Sequence, residues 1–259
     1  MHSLVNWFRR HQRRIGEAAP YLQVVFLTMA ITAVGTVVVL NVPWLPEEAS
    51  AEAGPVDDLY NALAVASVFV FALVVSILTV SVLRFRRRFG DESDGKPIHG
   101  NTGLEVVWTA IPAVLMTGAA IASGVVLGNI EETKPNTKTV VITAEQFAWS
   151  FAYGDQGIKK AGELHLVKDT PYLFRLHAKD VIHSFWVPQF RMKKDAVPGI
   201  VTQVRVEPTR IGTYTLVCTE LCGLGHATMR ARIVVEDQAR FDRWAEAQRK
   251  AAAPAAPNS

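Results

Sequence analysis

Soft metal ligands cluster near the end of the chain, at Cys218, Cys222, His226 and Met229. The chain has no other cysteine, and a further imidazole, His183, lies upstream. Thiolate, thioether and imidazole groups are ligands for copper, zinc and iron–sulfur clusters. The spacing therefore predicts a metal site built from these five residues.

Several kinds of site use such ligands. A disulfide between Cys218 and Cys222 suits an oxidising compartment, but it leaves both histidines and Met229 unexplained. Structural zinc accepts cysteine and histidine at this spacing, although methionine is a poor zinc ligand. An ordinary blue-copper site needs only one thiolate. Two coppers bridged by both sulfurs, with one histidine each, would use every ligand, and the main-chain oxygen of Glu220 could complete the set. Such a site relays electrons, because no position is left for a substrate.

Alternating apolar residues from about Thr137 onwards predict the strands that hold these ligands. Short period-two runs separated by Pro, Gly and Asp indicate an antiparallel sandwich or Greek-key barrel of about 100 residues. Cys218 shares the parity of Leu216, Met229 that of Ile233, and His183 that of Val181. The ligands are thus predicted to meet at one end of the barrel. A short helix over residues 237–250 and a disordered tail are expected to follow.

Three long uncharged runs fill the first half, at residues 22–42, 60–83 and 106–128. Each is long enough to span a bilayer. The net charge is only +3, and the arginines lie beside these runs, so membrane flanks explain them better than nucleic-acid binding does.

Arginine placement predicts the topology. One cluster precedes the first run (Arg9, Arg10, Arg13 and Arg14) and another follows the second (Arg84 to Arg88), whereas residues 43–59 are acidic. Both clusters are therefore expected in the cytoplasm and everything after Asn129 outside. The first run is either a permanent helix or a signal peptide, since Ala49-Ser-Ala51 resembles a cleavage site. Glu105 lies at the cytoplasmic mouth of the third run. It is either an N-terminal carboxylate that the helix dipole stabilises or a group that feeds a proton path.

Five motifs together resemble subunit II of haem-copper cytochrome c oxidases over residues 58–245. They are Cys218-x3-Cys222-x3-His226-x2-Met229, Asp180-Val-Ile-His183-Ser-Phe-Trp-Val-Pro188, Lys193-x-Asp195-x2-Pro198-Gly199, Gln146-Phe-Ala-Trp149-Ser-Phe-Ala-Tyr153 and Glu105-x2-Trp108-Thr-x2-Pro112.

The resemblance implies a membrane-anchored all-β protein, with two or three N-terminal transmembrane helices followed by a cupredoxin-like Greek-key β-barrel. The implied parts are an N-terminal extension (1–58), a transmembrane hairpin (59–130), the copper domain (131–236) and a C-terminal helix and tail (237–259). The run before Pro43 is additional to the family's two-helix core.

The resemblance also implies the site. A binuclear copper A centre, holding two coppers, is expected on His183, Cys218, Glu220 (by its main-chain oxygen), Cys222, His226 and Met229. The Glu220 carboxylate is expected on a magnesium ion shared with subunit I. Glu105 matches the entrance of a proton path, and Phe147 and Trp149 match the aromatic residues that relay electrons.

The implied function is that of the electron-accepting subunit of a proton-pumping terminal oxidase in the bacterial plasma membrane, with the copper domain on the outer face. A cytochrome c would donate electrons, and subunits I and III and the lipid bilayer would be partners; quinol-oxidising relatives lack the copper ligands. The alternatives are the copper A subunit of another haem-copper enzyme, such as a nitric oxide reductase, or a membrane-tethered copper-binding or assembly protein.

The chain departs from the family pattern at the face where the donor binds. Phe147 stands where typical members have the tryptophan that receives the electron. Typical members also present acidic residues to a basic cytochrome c, whereas Lys179, Arg191, Lys193 and Lys194 are expected here on barrel-end loops. These departures favour a neutral, acidic or membrane-tethered cytochrome as the donor.

Overall fold

The structure, a computed structural model, describes residues 2–87, 89–90, 92–95 and 97–252, with the side chains of residues 2–18 left aside. Arg88 and the tail after residue 252, which the sequence predicted to be disordered, lie outside the described residues. The chain divides into two compact units, one formed by residues 1–44 and 59–121 and the other by residues 45–58 and 122–259. The first holds most of the helical segments, and the second holds all the strands.

Three long helices precede the strands: α1 (His2–Asn41), α2 (Ala53–Phe85) and α3 (Thr102–Ile130). Their apolar stretches are long enough to cross a membrane, and that of α1 begins at Ala19. Each helix is longer than its uncharged run, because the helices continue into the polar flanks. At the start of α3, the Asn101 side chain accepts the Leu104 N–H, and Glu105 reaches back to the Asn101 N–H. This reciprocal cap satisfies backbone donors that the first helical turn leaves unpaired.

Helices α1 and α2 pack against each other at small residues. Gly35 approaches Val68 so closely that a Cβ added at this glycine would lie 2.5 Å from a Val68 methyl group. Thr28, Ala72 and Ser76 are buried. Close approach at small residues is typical of helix pairs in membranes. Residues of α3, by contrast, are all at least partly exposed.

Ten strands form two five-stranded sheets. They are β1 (Lys138–Glu145), β2 (Ala148–Tyr153), β3 (Ile158–Ala161), β4 (Leu164–Val167), β5 (Tyr172–Ala178), β6 (His183–Val187), β7 (Met192–Ala196), β8 (Thr202–Val206), β9 (Gly212–Cys218) and β10 (Arg230–Glu236). The strand orders are β3-β2-β1-β5-β8 and β4-β10-β9-β6-β7. This cupredoxin-like sandwich confirms the predicted fold class, but it is not purely antiparallel, because β1 pairs with β5 and β10 with β4 in parallel.

The core lies between the two sheets and follows the predicted alternation. Phe151, Phe174, Phe185 and Leu216 are fully buried, and their rings and side chains pack in one apolar cluster. Helix α4 (Gln238–Ala252) adds Phe241 and Ala245 to this cluster. The sandwich therefore has an apolar interior of its own, independent of any metal.

The segment between α1 and α2, residues 45–58, is part of the β unit, and we call it the strap. Ala49 is fully buried in the β core. The strap exchanges main-chain hydrogen bonds with the sheet connections at Gln189, Glu207 and Thr209. Arg191 completes the attachment through two hydrogen bonds to the Asp57 carboxylate, of 2.7 and 2.8 Å.

Candidate metal centre

The sandwich brings the five predicted side-chain ligands to one end. Cys218 ends β9, His183 begins the neighbouring β6, and Met229 immediately precedes β10. Cys222 and His226 lie in the connection between β9 and β10, which includes a short 3-10 turn over His226–Thr228. One connection between two paired strands thus supplies most of the ligands, and β6 adds His183 from the side.

The ligand atoms surround the two sulfur atoms. The Sγ atoms of Cys218 and Cys222 lie 3.9 Å apart, and Cys218 Sγ lies 3.9 Å from His183 Nδ1. Cys222 Sγ lies 3.7 Å from both His226 Nδ1 and Met229 Sδ. The main-chain oxygen of Glu220 is 3.3 Å from Cys218 Sγ. An S–S bond is about 2.05 Å long, so the structure holds two separate thiols.

The centre is largely dry. His183 is fully buried, and Cys218, Cys222 and Met229 are all less than a tenth exposed. Burial, followed by the neighbouring Cys218, raises the pKa of the Cys222 thiol to about 11. Without a cation nearby, this environment disfavours the thiolate.

Parity placed Cys218 and Met229 correctly, and it also placed His183 at the right end of the sandwich, but for His183 the residue used for comparison was the wrong one. Val181, whose parity was used, precedes β6 and is 38% exposed. The row that continues from His183 consists of Phe185 and Val187, both fully buried. His183 is therefore the first residue of the inward-facing row of β6, and its orientation follows from its place in that strand.

Asp180 holds His183 in place. One carboxylate oxygen lies 2.8 Å from His183 Nε2, which leaves Nδ1 facing Cys218. The carboxylate also accepts the main-chain N–H groups of Gln146 and Val181 at 2.7 Å. Burial opposes its ionisation, but these hydrogen bonds outweigh burial and lower the pKa of Asp180 to about 2. A carboxylate behind a ligand histidine fixes its ring orientation; sequence reasoning assigned Asp180 no role.

Gln146 and Phe147 bind the β1–β2 turn to the ligand loop. The Gln146 side-chain amide donates to the main-chain oxygen of Cys222. A Cβ added at Gly225 would lie 2.5 Å from the Phe147 ring, and one at Gly223 would lie 2.8 Å from Gln146 Nε2. Both glycines therefore leave room for the turn. The Gly-Leu-Gly sequence after Cys222 was the signal for this contact, and sequence reasoning did not use it.

The two predicted relay residues occupy different depths. Phe147 is 39% exposed and covers the ligand loop, whereas Trp149 is buried. The Trp149 ring meets the His183 ring edge-on, with 6.2 Å between centroids. An apolar rim surrounds this end of the sandwich, formed by the exposed side chains of Phe147, Val181, Ile182, Leu221 and Leu224.

The expected group of four basic residues on barrel-end loops is corrected by the structure. Arg191 is only 7% exposed in its side chain and is paired with Asp57. Lys193 and Lys194 belong to strand β7, where Lys193 approaches Asp195. Lys179 pairs with Glu145 at 2.6 Å. Of the four residues, only Lys179 therefore lies on a loop at the end that carries the ligands, and it is paired with Glu145.

The two other predicted acidic residues lie away from the buried ligands. The Glu220 side chain is exposed, although its main-chain oxygen faces Cys218. Glu105 is exposed at the start of α3, where it completes the helix cap. The position of Glu105 is compatible with both of its predicted roles, as a carboxylate that stabilises the helix start and as the entrance of a proton path.

Fold and site together define a class: a membrane-anchored cupredoxin-like domain with a buried sulfur and imidazole site. The family model of the cytochrome c oxidase subunit II transmembrane domain matches residues 24–125, and that of the periplasmic domain matches residues 161–238. The chain belongs to the cytochrome c oxidase subunit II family. Its domain accordingly lies on the outer, periplasmic side of a bacterial membrane.

Individual relatives agree with the family. Cytochrome c oxidase subunit 2 of Thermostichus vulcanus is 33% identical to this chain, and the match covers 83% of this chain and 81% of the relative's length. Alternative cytochrome c oxidase subunit 2 of Bradyrhizobium diazoefficiens is 31% identical over 87% of this chain and 92% of its own. A crystal structure of the periplasmic domain of subunit II from Bradyrhizobium japonicum is 28% identical, covering 47% of this chain and 100% of its own, with a TM-score of 0.44.

Proposed function

We propose that this chain is the electron-accepting subunit of a proton-pumping terminal oxidase. It takes electrons from a cytochrome c at a binuclear copper A centre and passes them to haem and copper in subunit I, where oxygen is reduced to water. The observation that carries the proposal is the arrangement of two buried, separate thiols with two imidazoles, a thioether and a carbonyl oxygen around them.

The donor set fits two copper ions. Soft sulfur and imidazole ligands suit copper, and two sulfurs 3.9 Å apart can face two metal ions at once. His183 and His226 lie on different cysteines, which provides one imidazole for each metal. Met229 and the Glu220 oxygen complete the set as weak ligands. When bound, such a centre supplies one-electron redox chemistry with small structural change.

The surrounding residues keep the site rigid and dry. Asp180 fixes the ring of His183, and Gln146 fixes the main chain at Cys222. Because neither loop has to move, little reorganisation accompanies a change of charge. Phe147, on the apolar rim, is proposed to receive the electron from a docked donor, and the buried Trp149 lies against His183. Together they form the proposed relay.

The exposed acidic residues face outward for partners. The Glu220 carboxylate is proposed to hold magnesium at the boundary with subunit I. Manganese can replace magnesium as a magnetic probe, and Glu220→Ala should lose the bound manganese. Glu105 is proposed as the entrance of a proton path. Glu105→Gln keeps an oxygen for the helix cap and removes the ionisable group, so it should slow proton uptake without unfolding α3.

The apolar rim supports a donor that docks mainly by apolar contact. The basic surface from which an acidic donor was expected is reduced, because Arg191 is paired with Asp57 and Lys179 with Glu145. Rates of electron transfer from basic and acidic cytochromes should therefore differ little and depend weakly on salt. A steep salt dependence for either cytochrome would contradict this docking mode.

Oxygen consumption by the purified complex tests the proposed function. Reduced cytochrome c should support oxygen uptake by the complex, and Cys222→Ser should abolish it because the second bridging sulfur is lost. Thr219→Ser, a small change in the same connection, serves as the control. Oxygen uptake that persists in Cys222→Ser, or that needs quinol in the unaltered complex, would overturn the proposal.

A further inference from the structure

A groove of about 360 Å³ runs between α1 and α2 at the end where α2 finishes. Its walls are mostly apolar and its mouth is polar. The walls are Phe26, Leu27, Val80 and Leu83 with one hydroxyl residue, Thr79, and the mouth is formed by Gln23 and Arg84. Neither the copper centre nor the proposed function uses this groove.

The basic group at the mouth is held by both helices. Arg84 Nε donates to the Gln23 side-chain oxygen at 2.9 Å. This bond fixes the guanidinium plane, and within the described part of the chain its other two nitrogens have no protein partner. A fixed guanidinium with two available donor groups matches the oxygens of a phosphate.

The groove lies at the cytoplasmic side of the membrane. The β domain is outside, so α3 begins inside and α2 must end inside. Arg86 and Arg87 follow Arg84 after one intervening residue and add positive charge close to it in the chain. Anionic lipids attract basic residues at this surface, and basic pockets between transmembrane helices bind their headgroups.

We propose that the groove binds an anionic phospholipid, with its phosphate on Arg84 and an acyl chain against Phe26 and Leu83. The polar mouth and apolar walls match the two ends of a lipid, and the volume is in the range of small-ligand sites. This inference needs α1 to be retained, which we propose because Gly35 packs against Val68 and because cleavage at Ala49-Ser-Ala51 would remove a buried part of the β core.

Native mass spectrometry of the full-length chain in detergent tests the site, with phosphatidylglycerol and phosphatidylcholine of identical acyl chains as probes. The unaltered chain should retain phosphatidylglycerol preferentially. Arg84→Gln should weaken its retention by about fivefold or more, as one lost arginine–phosphate contact predicts. Arg86→Gln removes the same charge outside the groove and should have little effect. Added inorganic phosphate should not displace the lipid, because it lacks the acyl chain.

Four results would overturn the proposal. Equal losses in Arg84→Gln and Arg86→Gln would mean general surface attraction, and equal retention of both lipids would mean that no headgroup is recognised. The intact mass in the same spectra shows whether the residues before the strap are present. A mass that lacks them would mean that α1 is removed and that the groove does not exist. A photo-crosslinking benzoylphenylalanine in place of Leu27 should join to lipid in the assembled complex; an adduct with another polypeptide would assign the groove to a subunit.

The outcome is separable from that of the proposed function. Copper content and copper spectra report only on the β domain, which Arg84→Gln leaves unaltered. Helix content by circular dichroism checks that both variants fold.

Discussion

At the scale of single residues, the metal centre depends on contacts that the ligand motif does not contain. Asp180 and Gln146 connect the β1–β2 turn to both ligand-bearing loops. The ligand types and their spacing were visible in the sequence because the chemistry requires them. The supporting contacts were not, because they join residues that are distant along the chain and can be made by many polar side chains.

Gly225→Ala should disturb the site by sterics alone. The new methyl group would lie 2.5 Å from the Phe147 ring, and overpacking of this kind costs about 1–3 kcal/mol. We expect lower thermal stability and altered copper spectra. Gly162→Ala is the matched control, because a Cβ there meets nothing within 4 Å.

A double-mutant cycle identifies the cause. If the Phe147 ring is the obstacle, Gly225→Ala should cost much less stability when Phe147 is already alanine than it costs in the unaltered chain. Additive losses would show that Gly225 is needed for another reason.

At the scale of elements, the strap is the feature that hydropathy could not reveal. Apolar runs located the three helices, because spanning segments must be long and uncharged. Residues 45–58 are rich in acidic and small residues, and they were interpreted as an external connection or a cleavage region. Their role comes from long-range contacts, which include the ion pair between Arg191 and Asp57 and the hydrogen bond from Ser50 to the Phe190 carbonyl.

Asp57→Ala should destabilise the β unit strongly. Arg191 would remain buried without its carboxylate, and breaking a buried ion pair from one side costs about 3–5 kcal/mol. Asp58→Ala, at the exposed neighbouring position, should change stability by no more than about 0.5 kcal/mol. Denaturant unfolding of the full chain, followed by tryptophan fluorescence, measures both, and similar effects of the two variants would count against the strap.

Glu52 should make strap stability depend on pH. Burial raises the pKa of this carboxyl above its ordinary value of 4.5, against hydrogen bonds that include the Glu207 N–H. The folded state therefore holds its proton more tightly than the unfolded state, so this contribution is fully present below pH 4.5 and is lost as pH rises through the raised pKa.

A neutral isostere provides the test. Glu52→Gln keeps an acceptor for the Glu207 N–H and removes the buried charge. Its Tm should exceed that of the unaltered chain at pH 7–8, and the difference should shrink at about pH 4. A variant that is less stable at neutral pH, or a difference independent of pH, would contradict this assignment.

At the scale of the whole molecule, the chain combines a membrane anchor with an outer cupredoxin-like domain. The class of fold could be predicted, because period-two strands and uncharged helices leave strong patterns. The parallel pairings of β1 with β5 and of β4 with β10 could not, because alternation gives the face of a strand and not its neighbour. The positions of the basic residues were misjudged for a similar reason: Arg191 follows the end of β6 opposite to His183, and Lys193 and Lys194 lie within strand β7 rather than on a loop.

Copper content combined with electron paramagnetic resonance of the purified full-length chain tests the central claim most directly. The account predicts two coppers per chain and, in the oxidised form, one unpaired electron shared equally between two copper nuclei. It also predicts that Cys218→Ser loses this signal while the apolar core keeps the sandwich folded. A single copper with an unshared electron, or zinc in its place, would contradict it.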